Sequence, residues 1–138
     1  ASAHKLITKM WQVVGANVIN LDVKHHDDVL AATSHLPHML AYALVDCLAG
    51  MQECEDIFKY AAGGFADFTR IASSNPEMWH DICFSNRDAL LNSLELFSAH
   101  INSIKGAIEN SDSEHLLSIF KRAKQVRDQF IKSRNQSE

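Results

Sequence analysis

The densest group of potentially reactive side chains lies between residues 25 and 38. This stretch holds four histidines and two aspartates, namely His25, His26, Asp27, Asp28, His35 and His38. Imidazole and carboxylate groups bind zinc, and His35 and His38, three residues apart, would lie on one face of a helix. No HExxH motif or ladder of cysteines and histidines accompanies them. The spacing therefore favours histidines that cap a kinked helix, and it predicts no metal site.

One doublet in this stretch, His26-Asp27, resembles that of the all-helical HD phosphohydrolases, which are metal-dependent enzymes. Those enzymes need a further histidine and a further aspartate from other helices. The candidates here, His4, Asp46 and Asp67, lie in no recognisable motif. An HD-type phosphohydrolase is therefore one alternative function, and a helical interaction module without a ligand is another.

A second candidate site follows the pair Gly63-Gly64, which predicts a turn or a close backbone approach before a new helix. That helix carries Arg70 near its end. The Arg70 guanidinium could pair internally with Asp46 or Asp67, or it could bind a carboxylate ligand through two parallel hydrogen bonds. Residue types alone favour internal pairing, because a buried arginine is usually matched by a carboxylate of the same protein.

The elements that position these residues are predicted to be helices. Five glycines and two prolines in 138 residues are too few for the turns of a sheet built from many short strands. A first helix, capped by Ser2, runs to a stop at Gly15. One strand is predicted over residues 17–21. Nothing later offers it a partner, so we expect it to belong to a sheet in another part of the protein.

The middle of the chain predicts several shorter helices. One begins near residues 25–28, where acidic side chains favour the positive end of the helix dipole, and Pro37 should break or kink it. Residues 39–51 are apolar on nearly every side, which predicts the most buried helix. A shorter helix follows over residues 55–62. Another begins within Ser73-Ser74-Asn75-Pro76-Glu77, where a capping side chain precedes proline in the first turn. On that last helix Trp79 is expected in the core and His80 at the surface.

Two long helices are predicted to end the chain as an antiparallel hairpin. The first, over residues 86–109, has an apolar seam with the spacing of helix-on-helix packing: Leu90, Leu94, Phe97, Ile101, Ile104 and Ile108. Ser111 and Glu114 form a capping box before the second helix, whose seam consists of Leu116, Ile119, Ala123, Val126 and Phe130. These seams exceed what one hairpin can cover and predict a dimer. Residues 132–138 should fray or lead into a linker.

Composition excludes several classes of protein. The net charge is −4 and no face concentrates Lys and Arg, which argues against nucleic-acid binding. Three cysteines without a CxxC pair predict reduced, buried thiols in a cytoplasmic protein. No run of about 20 apolar residues predicts a membrane span. The sequence has no GxGxxG turn, no P-loop and no motif around a nucleophilic Ser or Cys. It therefore predicts no cofactor-binding site.

Three segments together resemble the helical C-terminal domain of prephenate dehydrogenases: HDDVLAATSHLPH (residues 26–38), GGFADFTRIASSNPEMWHDI (63–82) and Asn86. Their order and spacing match over nearly the whole chain. The leading segment MWQVVGANVINLD looks like the helix and strand that end the nucleotide-binding domain of this family. The resemblance therefore implies an all-α dimerisation and substrate-binding domain over residues 25–131, preceded over residues 1–24 by the tail end of a Rossmann domain.

The resemblance also implies an activity, namely NAD(P)-dependent oxidative decarboxylation of prephenate to 4-hydroxyphenylpyruvate in tyrosine biosynthesis, carried out by a homodimer. In this family NAD or NADP is bound mainly by the Rossmann domain, and the catalytic histidine precedes the region matched here. We therefore expect this chain by itself to bind no cofactor and to be inactive. Prephenate is the expected ligand, and tyrosine is a candidate feedback ligand.

Roles for particular residues follow from the same resemblance. Arg70 is implied to bind a substrate carboxylate, which replaces the preference for internal pairing. The full set of implied substrate-binding residues is Ser34, His35, His38, Asp67, Arg70 and Trp79. In this set His35 and His38 lie beside the substrate ring, and Asp67 and Trp79 line or gate the pocket. The implied structural motif comprises His26, Asp27, Gly63 and Gly64, with His26-Asp27 holding the helix start and the domain junction.

Overall fold

The computed structural model describes residues 2–135, and every regular element in that range is a helix. It divides into two compact units, one up to Leu90 and one from Leu91 onward. The α-helices are α1 Ser2–Val13, α2 Val23–Leu30, α3 Leu36–Ala49, α4 Cys54–Lys59, α5 Gly63–Thr69, α6 Pro76–Ser85, α7 Arg87–Glu109 and α8 Ser113–Asn135. A π-helical segment, Ala31–His35, joins α2 to α3, and a 3₁₀ segment, Arg70–Ser73, follows α5. The all-α prediction is confirmed.

Helix α1 ends where the sequence predicts, at Gly15. The Gly15 N–H donates to the Gln12 carbonyl and the Ala16 N–H donates to the Trp11 carbonyl, each at 3.0 Å. This bond pair needs a left-handed residue, and Gly15 supplies it with φ of 86°. Ser2 already lies inside the helix, so it is not the cap within the described residues. Residues 17–21 form no strand here, because no partner strand exists between residues 2 and 135 to complete its hydrogen bonds. Their pairing with a sheet in another part of the protein stays a prediction.

Helices α2 and α3 form one continuous helical run through the π segment. Asp22 caps its start by accepting the His25 N–H at 3.0 Å, one turn earlier than predicted. Pro37 does not break this run, which continues through it. Proline has no N–H and its ring crowds the preceding turn. The wider π turn lies directly before it, where the Leu36 N–H donates to the Ala31 carbonyl five residues back.

Helix α3 is the centre of the first unit. It packs against the π segment, α4, α5 and the 3₁₀ segment. The prediction of a highly buried helix holds only in part, because Ala41 is its one buried residue and most of the others are half-buried. The Tyr42 hydroxyl donates to the Ser74 carbonyl at 2.7 Å, which ties α3 to the end of the 3₁₀ segment. Asp46 is exposed.

The prediction for Gly63-Gly64 and the prediction of a capped helix start before Pro76 had different outcomes. Gly63 and Gly64 form the first turn of α5 rather than the turn before it. A Cβ added at either glycine would meet no heavy atom within 4 Å, so no close backbone approach explains them. By contrast, the predicted capped helix start is confirmed: the Asn75 side chain accepts the Met78 N–H at 2.8 Å, and Pro76 opens α6.

The second unit contains most of α7 and all of α8, joined by residues 110–112. Ser111 was predicted to cap α8, but it ends α7 in the left-handed conformation with φ of 54°. Its N–H donates to the Ile108 carbonyl at 3.1 Å, and the Asp112 N–H donates to the Ala107 carbonyl at 2.8 Å. Asp112 caps α8 instead, because its carboxylate accepts the His115 N–H at 3.0 Å.

The seams of α7 and α8 are only partly covered: Leu90 is buried, and Leu94, Phe97 and Ile104 are half-buried. Leu116 and Ile119 are half-buried, whereas Ala123, Val126 and Phe130 are exposed, as are Ile101 and Ile108 on α7. The two helices therefore leave much of their apolar surface open in the single chain. Residues 132–135 continue α8, with Lys132 and Arg134 at the negative end of the helix dipole, so the predicted frayed tail does not begin at Lys132. Its last three residues lie outside the described range. No helix between residues 2 and 135 is long and apolar enough to cross a membrane.

Candidate functional site

Three aromatic rings meet in the first unit and form the core of the candidate site. The Trp79 side chain, on α6, stacks on the His38 ring of α3 with centroids 3.6 Å apart and planes 21° from parallel. The His35 ring, in the π segment, meets the same indole edge-on, with centroids 6.1 Å apart at 74°. Both Trp79, at 6% exposure, and His35, at 8%, are buried. The π turn thus brings two histidines from one helical run to a single tryptophan.

The protonation state of His35 is fixed by its neighbours. The Asn86 side-chain nitrogen lies 3.2 Å from His35 Nδ1 and 2.8 Å from the Asp27 carbonyl oxygen. Burial is the main cause that lowers the His35 pKa, and the nearby His38 imidazole adds to the effect. His35 is therefore a neutral imidazole at neutral pH.

The protonation of His38 is set by a different contact. Its Nδ1 lies 2.9 Å from the Ser34 carbonyl oxygen, which can only accept, so Nδ1 carries the proton and donates. In the neutral ring Nε2 is then an acceptor. Neither the Nε2 of His35 nor that of His38 has a protein partner between residues 2 and 135, and neither is sealed from solvent. Both atoms are available to a ligand.

Trp79 carries a buried donor without a partner. Its indole Nε1 is enclosed and makes no hydrogen bond to any described residue. Leaving such a donor unpaired costs about 1–3 kcal/mol, and groups of this kind occur at sites that bind something else. The sequence alone placed Trp79 in the core, and only the resemblance suggested a pocket role. The structure shows that it is buried and also in contact with both candidate histidines.

Arg70 begins the 3₁₀ segment, which packs against α3 and α5. The residue is exposed, and its guanidinium makes no ion pair or hydrogen bond with any residue of the described chain. Internal pairing with Asp46 or Asp67, which the residue types favoured, is therefore absent from this part of the structure. Asp67 is also exposed and unpaired. Among residues 2–135, neither Arg70 nor Asp67 makes a hydrogen bond or an ion pair with the three rings.

The remaining predicted residues take smaller structural parts. His26 Nδ1 lies 3.0 Å from the neighbouring Asp27 carboxylate at the surface. Asp22, rather than this doublet, caps the helix, and Asp27 contributes its main-chain carbonyl to Asn86. Ser34 contributes its carbonyl to His38. Among residues 2–135 no group of three or more His, Cys, Asp or Glu side chains is arranged to hold a metal ion.

The cysteines are less buried than expected. Cys47 is exposed, while Cys54 and Cys83 are half-buried, and all three are free thiols. The Cys83 thiol contacts the Met39 sulfur at 3.2 Å, and burial raises the pKa of this thiol. A raised pKa disfavours the reactive thiolate, so Cys83 is a packing residue beside the site.

Sequence reasoning gave Asn86 no role, although the residue belongs to the motif that carries the resemblance. Its contacts join residues 51 and 59 positions apart, and no local spacing can reveal such a pair. The helix start at Asp22 could have been found, because an aspartate three residues before a histidine-rich helix is an ordinary capping signal.

Comparison with known proteins decides the family. A family model described as prephenate dehydrogenase, dimerization domain, matches residues 22–122. This chain belongs to that prephenate dehydrogenase family. The resemblance drawn from the three sequence segments is thereby confirmed, and the comparisons give no support to an HD-type phosphohydrolase.

Relatives of the prephenate dehydrogenase family cover most of this chain. Cyclohexadienyl dehydrogenase of Zymomonas mobilis is 39% identical over 129 residues, covering 92% of this chain and 44% of the relative. Prephenate dehydrogenase of Bacillus subtilis is 39% identical over 127 residues, covering 91% and 34% respectively. The chain therefore spans less than half the length of these relatives.

A solved structure shares the fold as well. The A. aeolicus prephenate dehydrogenase, crystallised with hydroxyphenyl propionate and NAD+, superposes with a TM-score of 0.85 at 41% identity, covering 91% of this chain and 44% of that one. At this identity the helical arrangement described above is that of the family's C-terminal part.

Proposed function

We propose that this chain forms the substrate-binding and dimerising part of an NAD(P)-dependent prephenate dehydrogenase. The reaction converts prephenate to 4-hydroxyphenylpyruvate: the ring hydroxyl loses its proton, and breakage of the bond to the ring carboxylate releases CO₂ as the ring becomes aromatic. When bound, NAD or NADP accepts the hydride that this oxidation releases. The family membership and the relatives named for this activity support the proposal.

The residues of this chain do not fit a dinucleotide. A phosphate cradle needs a glycine-rich turn between a strand and a helix, and residues 2–135 contain no strand. We therefore assign the cofactor to a separate nucleotide-binding domain, and derive from this chain only how it binds and orients the substrate.

The observation that carries the substrate assignment is the unpaired guanidinium of Arg70. Prephenate carries two carboxylates, and binding a dianion requires a cation that is not already neutralised by the protein itself. Arg70 has no internal partner in the described chain, so its planar set of donors is free for two parallel hydrogen bonds to a carboxylate. Its 3₁₀ segment packs on α3, the helix that carries His38.

The three rings supply the remaining recognition. Trp79 provides a flat apolar surface, while His35 and His38 present Nε2 atoms that have no partner among residues 2–135. Such a pairing of an apolar wall with a few polar atoms suits a six-membered ring that carries a hydroxyl and carboxylates. Tyrosine, which combines a ring with a carboxylate, suits the same groups, and we include it as a candidate feedback ligand.

The partner in this proposal is a second copy of the chain. The exposed apolar side chains of α7 and α8 include Leu96, Ile101, Ile108, Leu117, Phe120, Val126 and Phe130. Apolar surface left open on two long helices is typical of a homodimer interface, and the family model is named for dimerization.

The test is steady-state kinetics of the enzyme in which this chain is joined to its nucleotide-binding domain. Arg70→Lys keeps the charge but loses the two-pronged contact, so KM for prephenate should rise while kcat changes little. Arg70→Ala should lose more transition-state binding, on the order of 2–5 kcal/mol. Arg87→Lys is the matched control, because Arg87 is an exposed arginine near the neighbouring Asp88. An unchanged prephenate KM in both Arg70 variants would contradict the proposal.

A further inference from the structure

Asn86 occupies a fixed position between two helices. It is the C-terminal cap of α6, where its N–H donates to the Ile82 carbonyl at 3.0 Å. Its own carbonyl accepts the Leu90 N–H at 3.1 Å and so opens α7. Because both main-chain groups are bound, the direction of the side chain is set by the helix junction. That side chain is part-buried and reaches the α2 end of the candidate site.

The orientation of the Asn86 amide follows from Asp27. The Asp27 main-chain oxygen can only accept a hydrogen bond, so the atom 2.8 Å from it must be the amide nitrogen. The same nitrogen lies 3.2 Å from His35 Nδ1, and its second hydrogen is the one available for that contact. His35 Nδ1 must therefore offer a lone pair, which leaves the proton of the neutral ring on Nε2.

We infer that Asn86 is a positioning residue that holds His35 in the Nε2–H tautomer, so that His35 donates a hydrogen bond to a ligand oxygen instead of accepting one. His38 is held in the opposite tautomer by the Ser34 carbonyl, so its neutral ring accepts. Two rings against one tryptophan thus offer one donor and one acceptor. They suit a ligand with a carboxylate or carbonyl oxygen and a hydroxyl group. The identity of that ligand rests on the proposed function; the tautomers do not.

The groups facing His35 agree with a neutral ring. Desolvation is the largest cause that lowers its pKa, followed by the positive form of His38 on α3 and, more weakly, of His26 on α2. The Asp27 carboxylate acts in the opposite direction and is outweighed. Trp79 and Asn86, which contact the ring from α6 and its end, carry no charge.

The test is ¹⁵N NMR of the chain labelled at histidine, in which two-bond nitrogen–proton couplings distinguish the tautomers. The wild-type His35 signal should show a protonated Nε2 and an unprotonated Nδ1 at pH 7.5. In Asn86→Asp a carboxylate replaces the donor, so Nδ1 should take up the proton and the His35 pKa should rise by roughly one unit or more. Asn110→Asp is the matched control: it removes an amide-to-carbonyl bond of the same kind, to Gly106, without a histidine in it.

A wild-type His35 protonated on Nδ1 would overturn the inference, as would a folded Asn86→Asp variant that keeps the Nε2–H tautomer. The wild-type spectrum needs no substitution, so a variant that fails to fold leaves the test intact. The measurement also needs no substrate. If prephenate kinetics reject the proposed function while His35 shows the expected tautomer, the positioning role of Asn86 stands. If the kinetics support the proposed function while His35 shows the other tautomer, only the positioning role of Asn86 is lost.

Discussion

The imidazole of His38 lies on the indole of Trp79, with ring centroids 3.6 Å apart and planes inclined by 21°. The same indole is met at its edge by His35. Trp79 is the one large aromatic residue among the buried residues of the described chain, whose other apolar members are Ala31, Ala41, Leu90 and Ala107. Packing of the first unit and the placement of both histidines therefore depend on one side chain.

Replacing Trp79 should separate the packing contribution of its ring from the cost of its unpaired Nε1 donor. Trp79→Ala removes the wall under both histidines and should lower the free energy of unfolding by about 3–5 kcal/mol. Trp79→Phe keeps a ring for His38 to stack on and removes the buried, unpaired Nε1 donor, so its loss should be less than half as large. Urea titration of both variants gives the comparison. Equal losses would contradict a packing role for the ring beneath His38.

Features that depend on a few adjacent residues were predicted well. The stop at Gly15, the capped start of α6 and the extent of α7 all follow from the conformation or hydrogen bonding of neighbouring positions. The resemblance also identified the family, because the order and spacing of whole segments carry more information than any single residue.

Features that depend on distant contacts were not predicted. The bond from Asn86 to His35 joins positions 51 residues apart. The π turn lets the helix continue past Pro37, and the spacing of apolar residues does not reveal such a turn. The strand predicted over residues 17–21 from β-branched composition needs a partner from outside residues 2–135, so its pairing stays a prediction. Internal pairing of Arg70 could not be predicted either, because it depends on the positions of all nearby carboxylates.

Stability should fall as the pH is lowered below about 6.5, the pKa of an unperturbed histidine. The His35 pKa is lowered in the folded chain, so between that pKa and 6.5 the unfolded chain binds a proton that the folded chain does not. The contribution is fully present above pH 6.5 and is lost as the pH falls towards the folded-state value, by at most about 1.4 kcal/mol per pH unit.

Urea unfolding at pH 7.5 and pH 5.5 measures this loss. His35→Gln should show a smaller difference between the two pH values than the wild type, whatever its absolute stability. An identical pH dependence in wild type and His35→Gln would mean that His35 titrates equally in the folded and unfolded chains.

Ser111 offers a place to stabilise the second unit. It adopts φ of 54°, a conformation that costs a residue with a Cβ about 1–2 kcal/mol. Ser111→Gly removes this strain, while the greater freedom of glycine in the unfolded chain offsets about 0.4–1 kcal/mol of the gain. A net stabilisation of about 0.5–1 kcal/mol is expected in denaturant titration. Ser113→Gly, inside the first turn of α8, is the control and should destabilise; the idea fails if both glycines act alike.

The proposed dimer can be tested on the chain itself. Light scattering at micromolar concentration should give twice the mass of 15.4 kDa. Phe120→Glu places a charge among the exposed apolar residues of α8 and should shift the chain towards monomer. Gln125→Glu adds the same charge at an exposed polar position of that helix and should leave the mass unchanged. A wild-type chain that stays monomeric would count against the dimer.

The stability of Arg70→Ala distinguishes a substrate anchor from a structural arginine. Arg70 is exposed and has no ion pair within residues 2–135, so its removal should change the free energy of unfolding by no more than about 0.5 kcal/mol. An arginine buried against Asp46 or Asp67 would behave differently, because its loss strands a buried carboxylate and costs about 3–5 kcal/mol. Thermal and urea unfolding of the chain give this number without any substrate. Read beside the prephenate KM of the joined enzyme, a stable variant with a raised KM identifies an anchor, whereas a destabilised variant with an unchanged KM would eliminate that role for Arg70.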